Sequence, residues 1–314
     1  MKVLAAVAIV AALVGVGSGF AIWGGDSGAS DHTITLAILP TATAGEIAPR
    51  AAELEHFLED QTGYNVDILI PTTYSAVVEA IRFRHADAAF MSAWPMHLAA
   101  KHAEAQVALA EVRSVTINGS TTDESFYFSH YIVLEGRSYR TLEDVRGLRV
   151  AYTSALSTSG YLFPVDRLIE LGKIPAPAAG QAADPGAFFG EVVFAGGYSQ
   201  AWAALQAGAV DVAVIAGDVP SSLYNEVMNG TRVIETQGPV PSHGVVYSKD
   251  MSLQKASKLT AALMRLGDPQ YRDLMRKLVS GIFVSFEQTT TEAHLGALQP
   301  ALERTGFQWV DRIG

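Results

Sequence analysis

From Thr33 to Leu39 the chain reads Thr-Ile-Thr-Leu-Ala-Ile-Leu, a compact apolar run that stops at Pro40 and predicts a strand. Between Gly45 and Thr62 the apolar residues Ile47, Ala51, Leu54 and Leu58 recur at helical spacing. Glu53, Glu55, Glu59 and Asp60 occupy other faces, and Gly63 is a good C-terminal stop. The alternation continues with a strand over Val66 to Ile70, a helix from Ser75 to Arg84, a strand over Asp87 to Met91 and a short helix from Trp94 to Lys101. Phe126 to Glu135 is a long apolar run that predicts an extended crossing between two halves. A second series then starts: strand Leu148 to Tyr152, helix Gly160 to Leu171, strand Glu191 to Phe194, helix Ser199 to Ala207 and strand Val210 to Ile215. Val245 to Ser248 is expected to be the return crossing, followed by helices over Leu253 to Leu266, Pro269 to Leu278 and Thr291 to Arg304.

Strands alternating with helices imply mostly parallel sheets with helices on both faces. Two such α/β series joined by two extended crossings predict a hinged, two-lobed clamshell. Residues 32–128 with 240–314 would form the first lobe and 129–239 the second. Residues 1–31 stand apart. Lys2 precedes an unbroken apolar run from Val3 to Val16, and small residues follow, which reads as a secretory signal or an uncleaved N-terminal anchor with a flexible linker. Either reading places the remainder outside the cytoplasm, in the periplasm or at the cell surface.

Composition narrows the chemistry. The chain of 314 residues is 49% hydrophobic and 17% charged, which is the make-up of a folded protein. Its net charge of −10 disfavours nucleic acid as a partner, because phosphate backbones demand clustered Lys and Arg. The absence of cysteine removes thiolate catalysis, disulfides and Cys-ligated metal. The eight histidines form neither a HExxH nor a His-x-His pair, so no metal or other cofactor is expected. No Gly-x-Ser-x-Gly elbow or Walker loop is present, and no nucleophile has an evident base, so the protein reads as a binder and not an enzyme.

The candidate site lies at the strand-to-helix turns, where ligands of open α/β sheets bind. Ser157, Thr158 and Ser159 precede Gly160 at the start of a helix, where unpaired first-turn amides and the helix dipole favour an anion. Three consecutive hydroxyls exceed what one helix cap requires. The corresponding turns at Phe194 to Ala201, Pro71 to Ser75 and Phe90 to Pro95 add Tyr198 and Ser199, Tyr74, and Met91 and Ser92.

These blocks resemble the phosphonate-, phosphite- and phosphate-binding proteins of ABC importers, which have the type II periplasmic-binding-protein fold. The residues that carry the resemblance are Tyr74 to Arg82, Asp87 to Phe90, Ser157 to Pro164, and Phe194 to Ala201 with Leu205 to Ala213. The resemblance implies that Ser157, Thr158 and Ser159 hold phosphorus-bound oxygens and that Tyr74 donates to them from the other lobe. It implies that Asp218 matches a carboxylate which pairs with the amine in aminoalkylphosphonate binders. Four positions depart from the family: Tyr198 stands for a usual histidine, Ser199 for an acid, Met91 for an aromatic, and His243 for a second acid. The expected protein is a monomeric solute-binding protein that delivers a small phosphorus oxyanion to a permease and its ATPase. The alternative is a membrane-tethered sensory domain for phosphorus status.

Overall fold

The computed structural model describes residues 32–39, 44–117 and 119–308, and the leader or anchor read above for residues 1–31 lies outside them. In chain order the strands are β1 (Thr33–Ile38), β2 (Asn65–Leu69), β3 (Ala88–Met91), β4 (Gln106–Ile117), β5 (Ser120–Glu124), β6 (Phe126–Leu134), β7 (Arg149–Tyr152), β8 (Glu191–Phe194), β9 (Val212–Ala216), β10 (Thr231–Pro241), β11 (Gly244–Tyr247) and β12 (Phe283–Gln288). The helices are α1 (Ala44–Thr62), α2 (Tyr74–Arg82), α3 (Ala93–Ala103), α4 (Phe163–Glu170), α5 (Tyr198–Gln206), α6 (Ser221–Gly230), α7 (Leu253–Met264), α8 (Arg272–Leu278), α9 (Thr291–Leu295) and α10 (Leu298–Thr305).

Two mixed sheets result. The first runs β12-β4-β11-β3-β1-β2, with β5 added to β4, and the second runs β10-β6-β9-β7-β8. Within the first, β1 is parallel to β2 and β3; within the second, β7 is parallel to β8 and β9. The two-residue period of β1 explains how helices cover both faces. Ile34, Leu36 and Ile38 pack with Leu54 and Leu58 of α1 and Leu259 and Leu263 of α7. Ala37 and Leu39 belong to the opposite core, with Val77 and Ile81 of α2 and Leu98 of α3.

The chain leaves the first sheet after Glu124, enters the second at Phe126, and returns between Pro241 and Gly244. The two passages lie side by side: Pro241 pairs with Phe126, and the Ser242 amide donates to the Ser125 carbonyl at 3.0 Å.

The expected return crossing at Val245 to Ser248 is therefore corrected. That segment is β11, an interior strand of the first sheet, antiparallel to both β3 and β4. Apolar residues on consecutive positions fit a fully buried strand as well as a crossing, and only the sheet order separates the two. The crossing itself is the end of β10, which pattern reading did not identify as a strand. Nor did it identify β4. Every second residue of β4 from Val107 to Val115 is buried, but Glu111 and Arg113 occupy that inner register, so the apolar period is interrupted at its centre. The helix expected from Gly160 begins instead as a π-turn at Thr158–Leu162 before α4, and the last predicted helix is divided into α9 and α10.

Gly244 is the position where β11 is most constrained. A Cβ there would collide with the Leu109 carbonyl oxygen and lie 3.0 Å from Met96 Sδ. Gly244→Ala is expected to lower stability by about 2 kcal/mol, the usual scale of overpacking, seen as a lower urea midpoint. A midpoint equal to that of the parent would mean that the sheet accommodates the methyl group.

Candidate functional site

The sequence Pro71 to Ser75 sets Tyr74 by a capped helix start. The Thr73 hydroxyl accepts from the Ala76 amide at 3.2 Å, which fixes Tyr74 as the first residue of α2. The Tyr74 phenol is buried beside the Ser157 and Thr153 hydroxyls, and burial, with the nearby Asp218 charge, drives its pKa upward. It therefore remains a protonated donor across the ordinary pH range.

Opposite it, the Ser157-Thr158-Ser159-Gly160 stretch leaves β7 and forms a turn in which the Leu162 amide reaches back five residues to the Ser157 carbonyl at 3.0 Å. Such π-turns inside helices concentrate at functional sites because they re-aim side chains. Each hydroxyl has a different task. Ser157 Oγ caps the turn by accepting from the Gly160 amide at 2.9 Å. Thr158 Oγ1 accepts from the Trp94 amide at 2.8 Å, which ties the turn to the first turn of α3 and leaves the Thr158 proton available to another acceptor. Ser159 Oγ lies 2.7 Å from the Tyr198 hydroxyl and donates to Asp218 Oδ2 at 2.9 Å. Gly160 is required by close approach, since a Cβ would run into Thr153 Oγ1 and lie 2.7 Å from Ser157 Oγ.

Asp218 follows β9 and is 1% exposed. Its Oδ2 collects Ser159, the Tyr127 hydroxyl at 3.3 Å and His243 Nε2 at 3.0 Å. Burial pushes the Asp218 pKa up, but His243, the Arg113 charge and Ser159 outweigh it, and the net direction is below the usual carboxylate range. His243 stands in the return passage, with the edges of Phe90 and Tyr127 around it at centroid distances of 5.3 and 6.2 Å. The Arg113 guanidinium stacks 3.9 Å over the Tyr127 ring and donates to Glu111 at 2.7 Å, and Ser280 donates to the other Glu111 oxygen.

The structure thus joins Ser159, Tyr198, Asp218 and His243 directly, with Tyr74, Ser157 and Thr158 beside them. Met91 is the residue of β3 that pairs with Gly244, next in the chain to His243. Ser92 caps α3 through its backbone position, and its hydroxyl has no partner within the protein. Ser199 differs from the rest in being half-buried, one residue into α5. Thr153 Oγ1, Asp218 Oδ1 and His243 Nδ1 also lack hydrogen-bond partners within the protein, and His243 Nε2 approaches Asp218 without hydrogen-bond geometry. Buried polar atoms are nearly always satisfied, so these mark where a bound group has bonds to make.

Sequence reasoning missed Thr153, Tyr127, Glu111 and Arg113. The signal for the last two was present as charges two apart on a strand, which places both on one face. Tyr127 was hidden in an apolar run whose several aromatics are equivalent by pattern.

A family model described as the periplasmic substrate-binding protein of phosphonate ABC transporters matches residues 36–293. The phosphate-import protein PhnD of Mycolicibacterium smegmatis is 28% identical over 180 residues, 57% of this chain, and the match spans 54% of that protein's length. Among solved structures, a binding-protein component of an ABC phosphonate transporter from Pseudomonas aeruginosa shares the fold with a TM-score of 0.69, at 18% identity, over 86% of this chain and 85% of its own. PhnD1 of Prochlorococcus marinus in complex with methylphosphonate does so with a TM-score of 0.70, at 12% identity, over 88% and 98%. Among the described residues no helix is long and apolar enough to cross a membrane.

The Asp218 pKa gives a signed pH dependence. A carboxylate whose folded pKa lies below its unfolded value of about 3.9 stabilises the fold above that value, and the contribution is lost as pH falls through the folded pKa. Asp218→Asn is therefore expected to be less stable than the parent in urea at pH 7, with the difference shrinking below about pH 4. A difference that stays constant from pH 7 to pH 3 would show that the charge on Asp218 contributes nothing.

Proposed function

The chain belongs to the periplasmic substrate-binding proteins of phosphonate ABC transporters, and we propose that it holds a small phosphorus oxyanion between its two sheets for delivery to a membrane permease and its ATPase. The observation that carries this reading is the Ser157-Thr158-Ser159 turn facing Tyr74. Tyr74, Ser157 and Thr158 are buried neutral donors on helices of two different sheets, while Ser159 is committed to Asp218. A tetrahedral anion bridging them favours the closed arrangement by its greater affinity for it, which is the thermodynamic content of clamshell closure.

Asp218 refines the class of ligand. Its Oδ2 is saturated with donors, while its buried Oδ1 has none. An ionised carboxylate beside an anion is tolerable only where the ligand presents a donor to it. His243 stands against the same carboxylate, where the family pattern has a second acid, so the pocket lacks the paired negative charge that suits an ammonium tail. A ligand with a P–OH group satisfies Oδ1 without such a tail, and phosphate, phosphite and methylphosphonate all carry one as monoanions. The family is one of transport proteins, and no observation here favours the sensory alternative.

Calorimetry at pH 6.5 with inorganic phosphate, phosphite, methylphosphonate and sulfate tests this. At least one phosphorus anion is expected to bind, with sulfate roughly tenfold weaker or worse because it has no proton to donate and leaves Oδ1 unpaired. The double variant Ser157→Ala and Thr158→Ala is expected to lose roughly a hundredfold in affinity while keeping a cooperative melt. Unchanged affinity in that variant, or binding of sulfate alone, would overturn the reading.

A further inference from the structure

Beside the buried site, between α3, the 177–181 loop and α10, lies a cavity of about 480 Å³. A water molecule takes up about 30 Å³ of liquid, so a small hydrated oxyanion fits with room to spare. Its walls are chemically one-sided. His97, Lys101 and His102 line it from successive turns of α3, against one carboxylate, Glu303 of α10, which is already engaged by Gln299 at 2.9 Å. In a chain with a net charge of −10 this is a local cluster of basic residues. Burial and the charges of Lys101 and His102 lower the pKa of His97, as expected where cationic groups crowd one wall.

The cavity adjoins the anion site through one residue. Trp94 lines the cavity, and its backbone amide donates to Thr158 Oγ1. Phe307 also lines the cavity, and its ring is stacked between two others: Trp94 at 5.7 Å and 11°, and Tyr161 at 4.8 Å and 9°. Trp94 comes from the first sheet's α3, and Tyr161 from the π-turn after β7 of the second. Phe307 therefore bridges the two halves beside the π-turn that follows β7. It is presented from the second half, because Arg304 of α10 holds Asp166 of α4 through two bonds of 2.7 and 2.6 Å, and the Thr305 carbonyl accepts from the Ala183 amide at 2.8 Å.

We propose that this cavity is the vestibule through which a small oxyanion reaches the buried site. The basic wall of α3 draws the anion in, and the Phe307 ring, clasped between Trp94 and Tyr161, gates the inner end. The inference rests on the oxyanion-binding function proposed above. A basic-walled cleft focuses field on an approaching anion and raises its rate of association, and salt weakens the effect. The gate acts differently, because a ring that must swing aside in both directions slows association and release together.

Stopped-flow kinetics on the full chain with inorganic phosphate and methylphosphonate, at about 0.02 M and 0.5 M salt, tests both parts. Lys101→Gln and Lys101→Glu are expected to slow association by roughly three- and tenfold at low salt, with little difference from the parent at high salt and unchanged dissociation. Phe307→Ala is expected to raise both rates by a similar factor and leave affinity nearly constant, whereas Phe307→Leu falls between the two. Melting curves confirm that each variant is folded. Association of the Lys101 variants at the parent rate at low salt would overturn the vestibule. A Phe307→Ala effect on dissociation alone would make the ring a wall of the bound site and overturn the gate. A parent that binds neither anion would instead overturn the function proposed above, and the vestibule with it.

Discussion

One carboxylate oxygen, Asp218 Oδ2, receives Ser159, Tyr127 and His243 in a place that water does not reach, and the centre of the molecule is arranged around that convergence. The three groups come from three different parts of the chain: the π-turn after β7, the outgoing strand β6 and the return passage before β11. An ionised group stripped of water is costly unless its hydrogen bonds are replaced, and here each replacement also fixes the position of a separate element. The oxygen is thus a geometric reference as well as a charge. Ser159 is held to Tyr198, Tyr127 lies under Arg113, and Arg113 extends the chain of contacts to Glu111 and Ser280 near the far edge of the first sheet.

That arrangement explains how an acidic protein keeps a site fit for an anion. The donors nearest the Ser157–Ser159 turn are uncharged, and the charges behind them alternate in sign: Asp218 with Arg113 close by, and Arg113 with Glu111. The tyrosines of the cluster stay protonated, since burial and the Asp218 charge both raise the pKa values of Tyr74 and Tyr198. The local field at the site is therefore set by paired groups and fixed dipoles and not by the net charge of the chain, which is why composition alone said little about it.

The fold class was legible because the strand-helix alternation is carried by apolar residues at regular spacing, as in Ile34, Leu36 and Ile38 against Leu54 and Leu58. The strands that escaped notice are those for which sheet position, not hydrophobicity, decides the structure. Glu111 and Arg113 neutralise each other inside β4, so a charged inner face is stable in the protein and misleading in the sequence. The apolar 245–248 segment has the same look whether it crosses or is enclosed. At the site, Ser157 to Gly160 was legible because three adjacent hydroxyls exceed the needs of a cap. That each finds a different partner was not, because Trp94, Tyr198 and Asp218 are distant in sequence and meet only through the sheets. Tyr127 carried no local motif at all.

The placement of β11 has a consequence for the order in which the protein is built. The second sheet takes all its strands from one unbroken stretch, Phe126 to Pro241, so every pairing it needs exists once that stretch has been made. The first sheet is different: β3 and β4 are not neighbours until residues 244–247 slot between them, and β12 comes later still. Until then its early strands are two fragments, β2-β1-β3 and β4-β5, each with an unpaired edge where β11 belongs. Distant pairings of this kind are slow to form and leave edges open in the meantime. The half of the molecule synthesised first is thus the half completed last, and a growing chain must wait for its own C-terminal third before its N-terminal sheet exists.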